Sequence, residues 1–457
     1  MNLEAVKRIV VVIMENRSFD HMLGHLSLAP ANRSDVDGLR NDEAWLKSLA
    51  NPYETMRFGP FHLTDPYHNI DADPPHERGP VANQLGTPVD GVFPMNGFVT
   101  NYAGAKGAAS LTQAKPPPVM GYFGADEVPV TSFFAKNFAV CDHWFASLPA
   151  GTQPNRLMAM SGSSTIEVNQ KPLPNQDLVY DWLTRNGVRW RVYHETLPFF
   201  TMMPRWIDDI VVGDHFRPLA QLRSDIENDP PGERPQVIFI EPAYADAPHL
   251  GECTDDHAPA AIKGGQRFLL EAYRDITSDP AFWAETVMIV TYDEHGGFFD
   301  HVSPPLLRTE PPPGAHYAAG FDTLGVRVPA MVISPFVTPG TVSHDRFDHT
   351  SILKFIGQKF AADGLYSDTV DQRPVSSVAE VLNALDSPHG APVIPSLADY
   401  IAKDTAAAGF VPGAAPGNIL QQGFQEALES VRAHPGRSAG RFAELLAAFP
   451  TPTPGEG

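Results

Sequence analysis

The chain has 457 residues, 43% of them hydrophobic and 19% charged, a globular composition that excludes a disordered or fibrous protein and suffices for one large domain or two ordinary ones. Fifty-four Asp and Glu against 33 Lys and Arg leave a formal charge of −21, which repels nucleic acid and anionic lipid surfaces and favours cation sites. No run of about eighteen apolar residues occurs, so no spanning helix is expected; the two cysteines, Cys141 and Cys253, allow at most one disulfide and no cysteine-rich zinc module.

Residues 9–14 are an unbroken, largely β-branched apolar run, which reads as a fully buried strand. The run is too short for a signal-peptide core, and Glu15-Asn16-Arg17-Ser18 follows instead of a small-residue cleavage site. The expected location is therefore cytoplasmic as the sequence stands, or periplasmic or secreted if a leader was removed. Residues 28–130 are rich in Pro, Gly, Asn and Asp with little periodicity, and read as a long irregular insertion.

Residues 190–193, 237–240, 287–292 and 328–333 repeat the buried-strand pattern, with helical spacing over 177–186 and 261–276. Alternating strands and helices predict an α/β fold with a parallel sheet covered on both faces, and ligands beyond the carboxyl ends of its strands. Residues 1–385 then form one catalytic domain. Residues 386–457 are a Pro/Ala/Gly-rich segment followed by helical spacing over 418–449, broken at Pro435-Gly436. They read as an accessory helical pair without chemistry of its own.

Four constellations carry potential chemistry. Glu15-Asn16-Arg17-Ser18-Phe19-Asp20 places a carboxylate and a carboxamide directly after a buried strand, where hard cations find oxygen ligands; a turn with Asn16 or Ser18 as helix N-cap is the plainer alternative. Asp293-Glu294-His295-Gly296-Gly297 ends another apolar strand in three ligand-type side chains, and the glycine pair lets the backbone bend so that both carboxylates face one cation. In Ala150-Gly151-Thr152-Gln153-Pro154-Asn155-Arg156, Thr152 stands at a helix start, where N–H groups favour an anion; as a plain N-cap it carries no chemistry. Several of the seventeen histidines, His76, His194, His257 and His349 among them, lie in polar settings from which they could converge on phosphate.

Met14-Glu15-Asn16-Arg17-Ser18-Phe19-Asp20-His21-Met22-Leu23-Gly24 resembles the opening signature of the bacterial phosphoesterase family of phospholipases C and acid phosphatases. Thr152-Gln153-Pro154-Asn155-Arg156, Asp255-Asp256-His257-Ala258-Pro259, residues 292–302 and Asp348-His349-Thr350-Ser351 match it in the same order. The resemblance implies an alkaline-phosphatase-like three-layer α/β/α core and metal-assisted covalent phosphoryl transfer. It assigns Glu15, Asn16, Asp293, Glu294 and Thr152 to one divalent cation, Thr152 also to the nucleophile, and His76 and His257 to phosphoryl binding and leaving-group protonation. His194, His295 and His301 follow as further substrate contacts, with His295 alternatively fixing Asp293. The oxygen donors favour Ca²⁺, Mg²⁺ or Mn²⁺ and leave Zn²⁺ open.

The expected activity is phospholipase C-type cleavage of a phosphodiester headgroup. A broad phosphomonoesterase is the alternative, and a non-catalytic cation-stabilised binding protein the third reading. Met95, Phe98, Phe123, Phe199, Phe200, Met202 and Met203 could seat acyl chains or form ordinary packing. Unlike many members, the chain is expected to carry neither an export leader nor a long β-rich C-terminal region.

Overall fold

The protein is described by a computed structural model covering residues 3–65, 70–397, 417–435 and 441–450. Its core is a sheet of eight strands: β1 (Arg8–Met14), β2 (Ala139–Cys141), β3 (Trp190–His194), β4 (Phe216–Pro218), β5 (Val237–Glu241), β6 (Thr286–Tyr292), β7 (Ala330–Ile333) and β8 (Val342–Ser343). Their order is β8-β2-β7-β6-β1-β5-β3-β4. All pairings are parallel except those of β7, which runs against both neighbours. The fully apolar strands of the sequence are the central ones; every residue of β1 and β6 is buried. Strands buried on both faces lack polar alternation, which is why their sequences read as continuous runs.

Two helical layers cover the sheet. Val11 and Ile13 line a small cavity with Arg156, Met160 and Tyr180, so their face of β1 carries the layer containing α2 (Thr152–Ser161) and α4 (Thr350–Phe360). Val10 and Val12 point the opposite way and are equally buried. The second layer contains α1 (Pro129–Asn137) packed on α3 (Lys263–Ile276). This is the expected α/β/α sandwich.

Two expectations change. Residues 28–130 are not irregular throughout. They include helices Arg78–Leu85 and Phe98–Ala103 and bury Phe58, Val81, Leu85 and Phe98 against Phe298 and Phe299. Buried Asn51 ties the insertion together, donating to the Met95 carbonyl at 3.0 Å and accepting from the Phe98 N–H at 2.9 Å. The run at 328–333 forms a strand of opposite direction rather than a parallel one. Cys141 and Cys253 are both free, so no disulfide links them.

The C-terminal helices form as α5 (Ile419–Ala433) and α6 (Ala443–Ala448). The Pro/Ala/Gly-rich stretch at 398–416 and the break at Gly436 lie outside the described residues. Among the described residues, no helix is long and apolar enough to cross a membrane.

Candidate active site

Met14 stands opposite Tyr292 in the parallel β1–β6 pairing, so Glu15 and Asp293 leave the sheet side by side at its carboxyl edge. The chain then turns at Asn16, whose φ of 62° is a left-handed conformation that Asn tolerates better than most residues. The Asn16 N–H donates to Asp293 Oδ1 at 3.2 Å. Ser18 caps the short helix Phe19–Leu23 by accepting from the His21 N–H, so the capping role falls on Ser18 and leaves Asn16 to the site. Gly296, at φ 62°, approaches so closely that a Cβ there would lie 2.1 Å from the Asn16 carbonyl oxygen. Only glycine permits both that conformation and that approach.

Thr152 is the first residue of α2, and Gly151 takes the N-cap position. Asn155 fixes the turn before it, accepting from the Leu148 N–H at 2.9 Å and donating to the Ala150 carbonyl at 2.9 Å. One helical turn past Thr152, buried Arg156 donates through Nε to Asp293 Oδ2 at 3.2 Å and through Nη2 to Glu15 Oε1 at 3.3 Å. Its Nη1 donates to the Tyr244 hydroxyl at 3.2 Å, which donates in turn to Glu241 at 3.2 Å.

The buried oxygens of this region that have no hydrogen-bond partner among the described residues include Glu15 Oε2, Asn16 Oδ1, Thr152 Oγ1 and Glu294 Oε1, together with Asp73 Oδ1 and Glu77 Oε2. An unsatisfied buried polar group costs about 1–3 kcal/mol, so such a set needs an occupant. Carboxylate, amide and hydroxyl oxygens are hard donors of the kind a divalent cation takes, and Glu15 also stands with Asp255 and His257 in a group whose ligand atoms lie within 4.8 Å of one another. Asp293 differs, since Oδ1 accepts from the Asn16 and Glu294 N–H groups and Oδ2 from Arg156; each oxygen keeps a further lone pair. Burial, with the neighbouring Glu294 carboxylate, pushes Asp293 up to about 6 despite Arg156. Burial likewise raises Glu15. A cation would relieve both.

His76 and His257 meet beside these oxygens, with ring centroids 5.7 Å apart. Asp73 Oδ1 lies 3.7 Å from His76 Nδ1 and 3.5 Å from His257 Nε2. His257 Nδ1 is 3.4 Å from Glu15 Oε2 and 3.6 Å from Asp246 Oδ2, while His76 Nε2 is 4.0 Å from Glu294 Oε1. Burial opposes protonation of both rings, but the carboxylates outweigh it: Glu294 and Asp73 lift His76 to about 9, and Asp73 and Asp246 raise His257 well above its usual value. Asp255, buried beside Glu15, is pushed up to about 7.

The other histidines take different places. His295 sits against Glu294, with Nδ1 3.3 Å from Oε2, and its Nε2 meets Gln84 Oε1 at 2.8 Å. It braces Glu294 rather than Asp293. His349 Nε2 meets the Asp293 backbone carbonyl at 2.6 Å. His301 is not brought to this cluster; Asp20 at 2.8 Å and Asp37 at 3.3 Å hold it in a separate network with Arg327 and Asp300. His194 is also elsewhere, stacked on Phe442 in a cavity of about 410 Å³ lined by Glu195, Arg267 and Arg441. The end of β3 lies two strands from β1, and α6 closes over it. Met95, Phe98, Phe123, Phe199, Phe200, Met202 and Met203 are all buried in the hydrophobic clusters and serve as packing.

Arg156, Asp73 and Asp246 were not assigned to the site from sequence, and Asp255 was named only as a neighbour of His257. Arg156 had a readable signal, because four residues past Thr152 it shares that residue's helix face. Asp73 and Asp255 lie in the same short runs as His76 and His257. Asp246 had none.

A family model described as Phosphoesterase family matches residues 6–362. The chain belongs to that family. Its phosphoesterase relatives include "Non-specific phospholipase C1" of Arabidopsis thaliana, 33% identical over 368 residues, which covers 76% of this chain and 65% of that protein. "Non-specific phospholipase C3" of the same plant is 34% identical, covering 76% of this chain and 68% of its own. "Phospholipase C B" of Mycobacterium tuberculosis is 31% identical, covering 79% and 74%. The chain thus spans about two thirds of the length of these plant relatives, and just under that of the first. A solved structure from Vibrio parahaemolyticus, titled as a protein in the alkaline phosphatase superfamily, aligns over 51% of this chain and 60% of its own at 11% identity, with a TM-score of 0.32. The phosphoesterase match spans both halves of the site, from Glu15 to Glu294.

Proposed function

We propose that this phosphoesterase hydrolyses phosphoric esters, with phospholipase C-type cleavage of a phosphodiester headgroup as its main activity, through a phosphothreonine at Thr152. The observation that carries the reading is the group of unpartnered buried oxygens on Glu15, Asn16, Thr152 and Glu294 beside His76 and His257, two histidines whose pKa the neighbouring carboxylates raise. The relatives named phospholipase C support the choice of ester.

Glu15, Asn16, Thr152, Asp293 and Glu294 would hold one divalent cation. When bound, it lowers the pKa of the Thr152 hydroxyl and neutralises charge on the phosphoryl oxygens. In the first step Thr152 Oγ1 bonds to phosphorus and loses its proton to solvent. The bond from phosphorus to the lipid alcohol breaks, and His257 passes a proton to the departing oxygen. Asp73 and Asp246, at 3.5 and 3.6 Å, favour the protonated form of His257, which suits that role. His76 donates to a phosphoryl oxygen. In the second step water bonds to phosphorus and returns a proton to His257; the Thr152 ester bond breaks and Oγ1 is reprotonated.

Rates on p-nitrophenylphosphorylcholine and p-nitrophenyl phosphate, compared on the same enzyme, test the ester preference. The reading expects the diester to be the better substrate by kcat/KM. A preference for the monoester would make the protein a phosphomonoesterase of acid phosphatase type.

A further inference from the structure

Helix α5 lies beyond residue 362, where the family match ends, and the sequence marks it as a plain accessory element. Its first contacts with the rest of the protein are nevertheless made at the site. Asn418, the N-cap of α5, uses the two ends of one carboxamide for two tasks. Its Oδ1 accepts from the Gln421 N–H at 2.8 Å, which caps the helix, and its Nδ2 donates to Asp246 Oδ1 at 3.0 Å. The other oxygen of the same carboxylate, Asp246 Oδ2, faces His257 Nδ1 at 3.6 Å. One turn and a half along the same helix, Phe424 lies nearly parallel to Tyr244 with centroids 5.7 Å apart and meets Phe199 edge-on at 5.9 Å. Tyr244 is the residue whose hydroxyl receives Arg156.

We infer that Asn418 is a positioning residue for the reaction: α5 anchors Asp246, and through it sets the orientation of His257 toward the leaving group. This rests on the reading of His257 as the leaving-group acid. Asp246 is buried, and the Asn418 bond to Oδ1 holds the carboxylate with Oδ2 on the His257 side. Residues that orient a working side chain in this way typically contribute about ten- to a hundredfold to activity. The anchor sits on a rigid capped helix with Leu420, Phe424, Ala427, Leu428 and Val431 buried, so its position is fixed by packing rather than by a loop.

The chemistry of the carboxamide supplies a discriminating variant. Asn418→Asp keeps an N-cap acceptor, since Asp caps as well as Asn, but removes the donor and sets a second carboxylate against Asp246. If Asn418 only caps the helix, this variant loses stability to the repulsion between the two carboxylates but keeps the parent rates on both esters. If it positions Asp246, kcat on an alkyl phosphate ester, whose leaving group needs a proton, falls about ten- to a hundredfold, while kcat on the p-nitrophenyl ester falls much less and KM for both is little changed. Asn418→Gln reaches further and loses the cap; it reports the stability contribution separately, through melting temperature. His257→Ala on the same two esters is the control. A steep alkyl-selective loss in His257→Ala with parent rates in Asn418→Asp overturns the inference and leaves the acid assignment intact. Equal slowing of both esters in His257→Ala overturns the acid assignment itself, and the inference with it.

Discussion

The backbone N–H of Asn16 donates to Asp293 Oδ1 at 3.2 Å, across 277 positions of chain. Parallel pairing of β1 with β6 brings the two residues to one edge, and the left-handed turn at Asn16 points the amide at the carboxylate. Arg156 bonds to Asp293 and Glu15 at that junction, and His257 Nδ1 lies 3.4 Å from Glu15 Oε2.

Arg156 is the single cation bonded to both Glu15 and Asp293 among the described residues. Replacing it by Met leaves two buried carboxylates facing one another without compensation. Breaking a buried pair this way costs about 3–5 kcal/mol. Arg156→Met should therefore melt well below the parent protein, and added divalent cation should recover part of the loss. A melting temperature unchanged from the parent would contradict the role given to Arg156.

Cation binding should be measurable without turnover. A ligand that binds only the folded state stabilises it by about 2.7 kcal/mol at a hundred times its dissociation constant. Melting temperature should rise on titration with Ca²⁺, Mg²⁺, Mn²⁺ or Zn²⁺ and fall back with chelator. In Glu15→Gln/Glu294→Gln the response should be lost. The same rise in the double variant would place the cation elsewhere.

Gly296→Ala is expected to disturb the site more than the fold. The added methyl meets the Asn16 carbonyl at 2.1 Å, and the positive φ adds strain of about 1–3 kcal/mol. Activity should drop sharply while far-ultraviolet circular dichroism is unchanged. Parent activity in this variant would show that the Asn16 junction tolerates displacement.

Stability should fall on both sides of neutrality. Burial lowers His25 and His194 to about 4, whereas both titrate near ~6.5 in the unfolded chain. A depressed pKa gives stability that is complete above ~6.5 and is lost as pH falls toward 4, up to about 3 kcal/mol per group. His301 is the opposite case. Burial works against its charge, but Asp20 and Asp37 raise it to about 9, so its contribution is present below ~6.5 and is lost as pH rises through 9. Melting curves from acid to alkaline pH, repeated on His194→Asn and His301→Asn, check this; each variant should flatten only its own side.

Much of this was legible in the sequence, for a physical reason. The central strands β1, β5 and β6 are long, β-branched and buried on both faces, so their composition alone marks them. Strands β2, β4 and β8, at or next to the edges of the sheet, have three, three and two residues, too short to carry a pattern. Within the proposed site, local chemistry singled out Asp293 and Glu294 at a strand end, whereas Glu15, Asn16 and Thr152 have plain turn and cap readings and stood out through the family resemblance. Asp246 was not readable, since it matters only through His257 and Asn418, which reach it from distant chain segments. His194 misled for the converse reason: its polar setting in sequence is covered in the fold by Phe442. The order of the 28–130 insertion also depends on tertiary contacts, such as those of Asn51, that no local pattern encodes.

The central claim is that Thr152 Oγ1 carries the phosphoryl group between two chemical steps. Intact-protein mass spectrometry of enzyme quenched in acid during turnover of p-nitrophenylphosphorylcholine tests it most directly. The account predicts a fraction of molecules heavier by the transferred phosphorylcholine, with the added mass mapped to Thr152 and absent from Thr152→Ala, which should also lose turnover by at least about a thousandfold. Turnover in Thr152→Ala within a few fold of the parent, with no adduct on either protein, would contradict it.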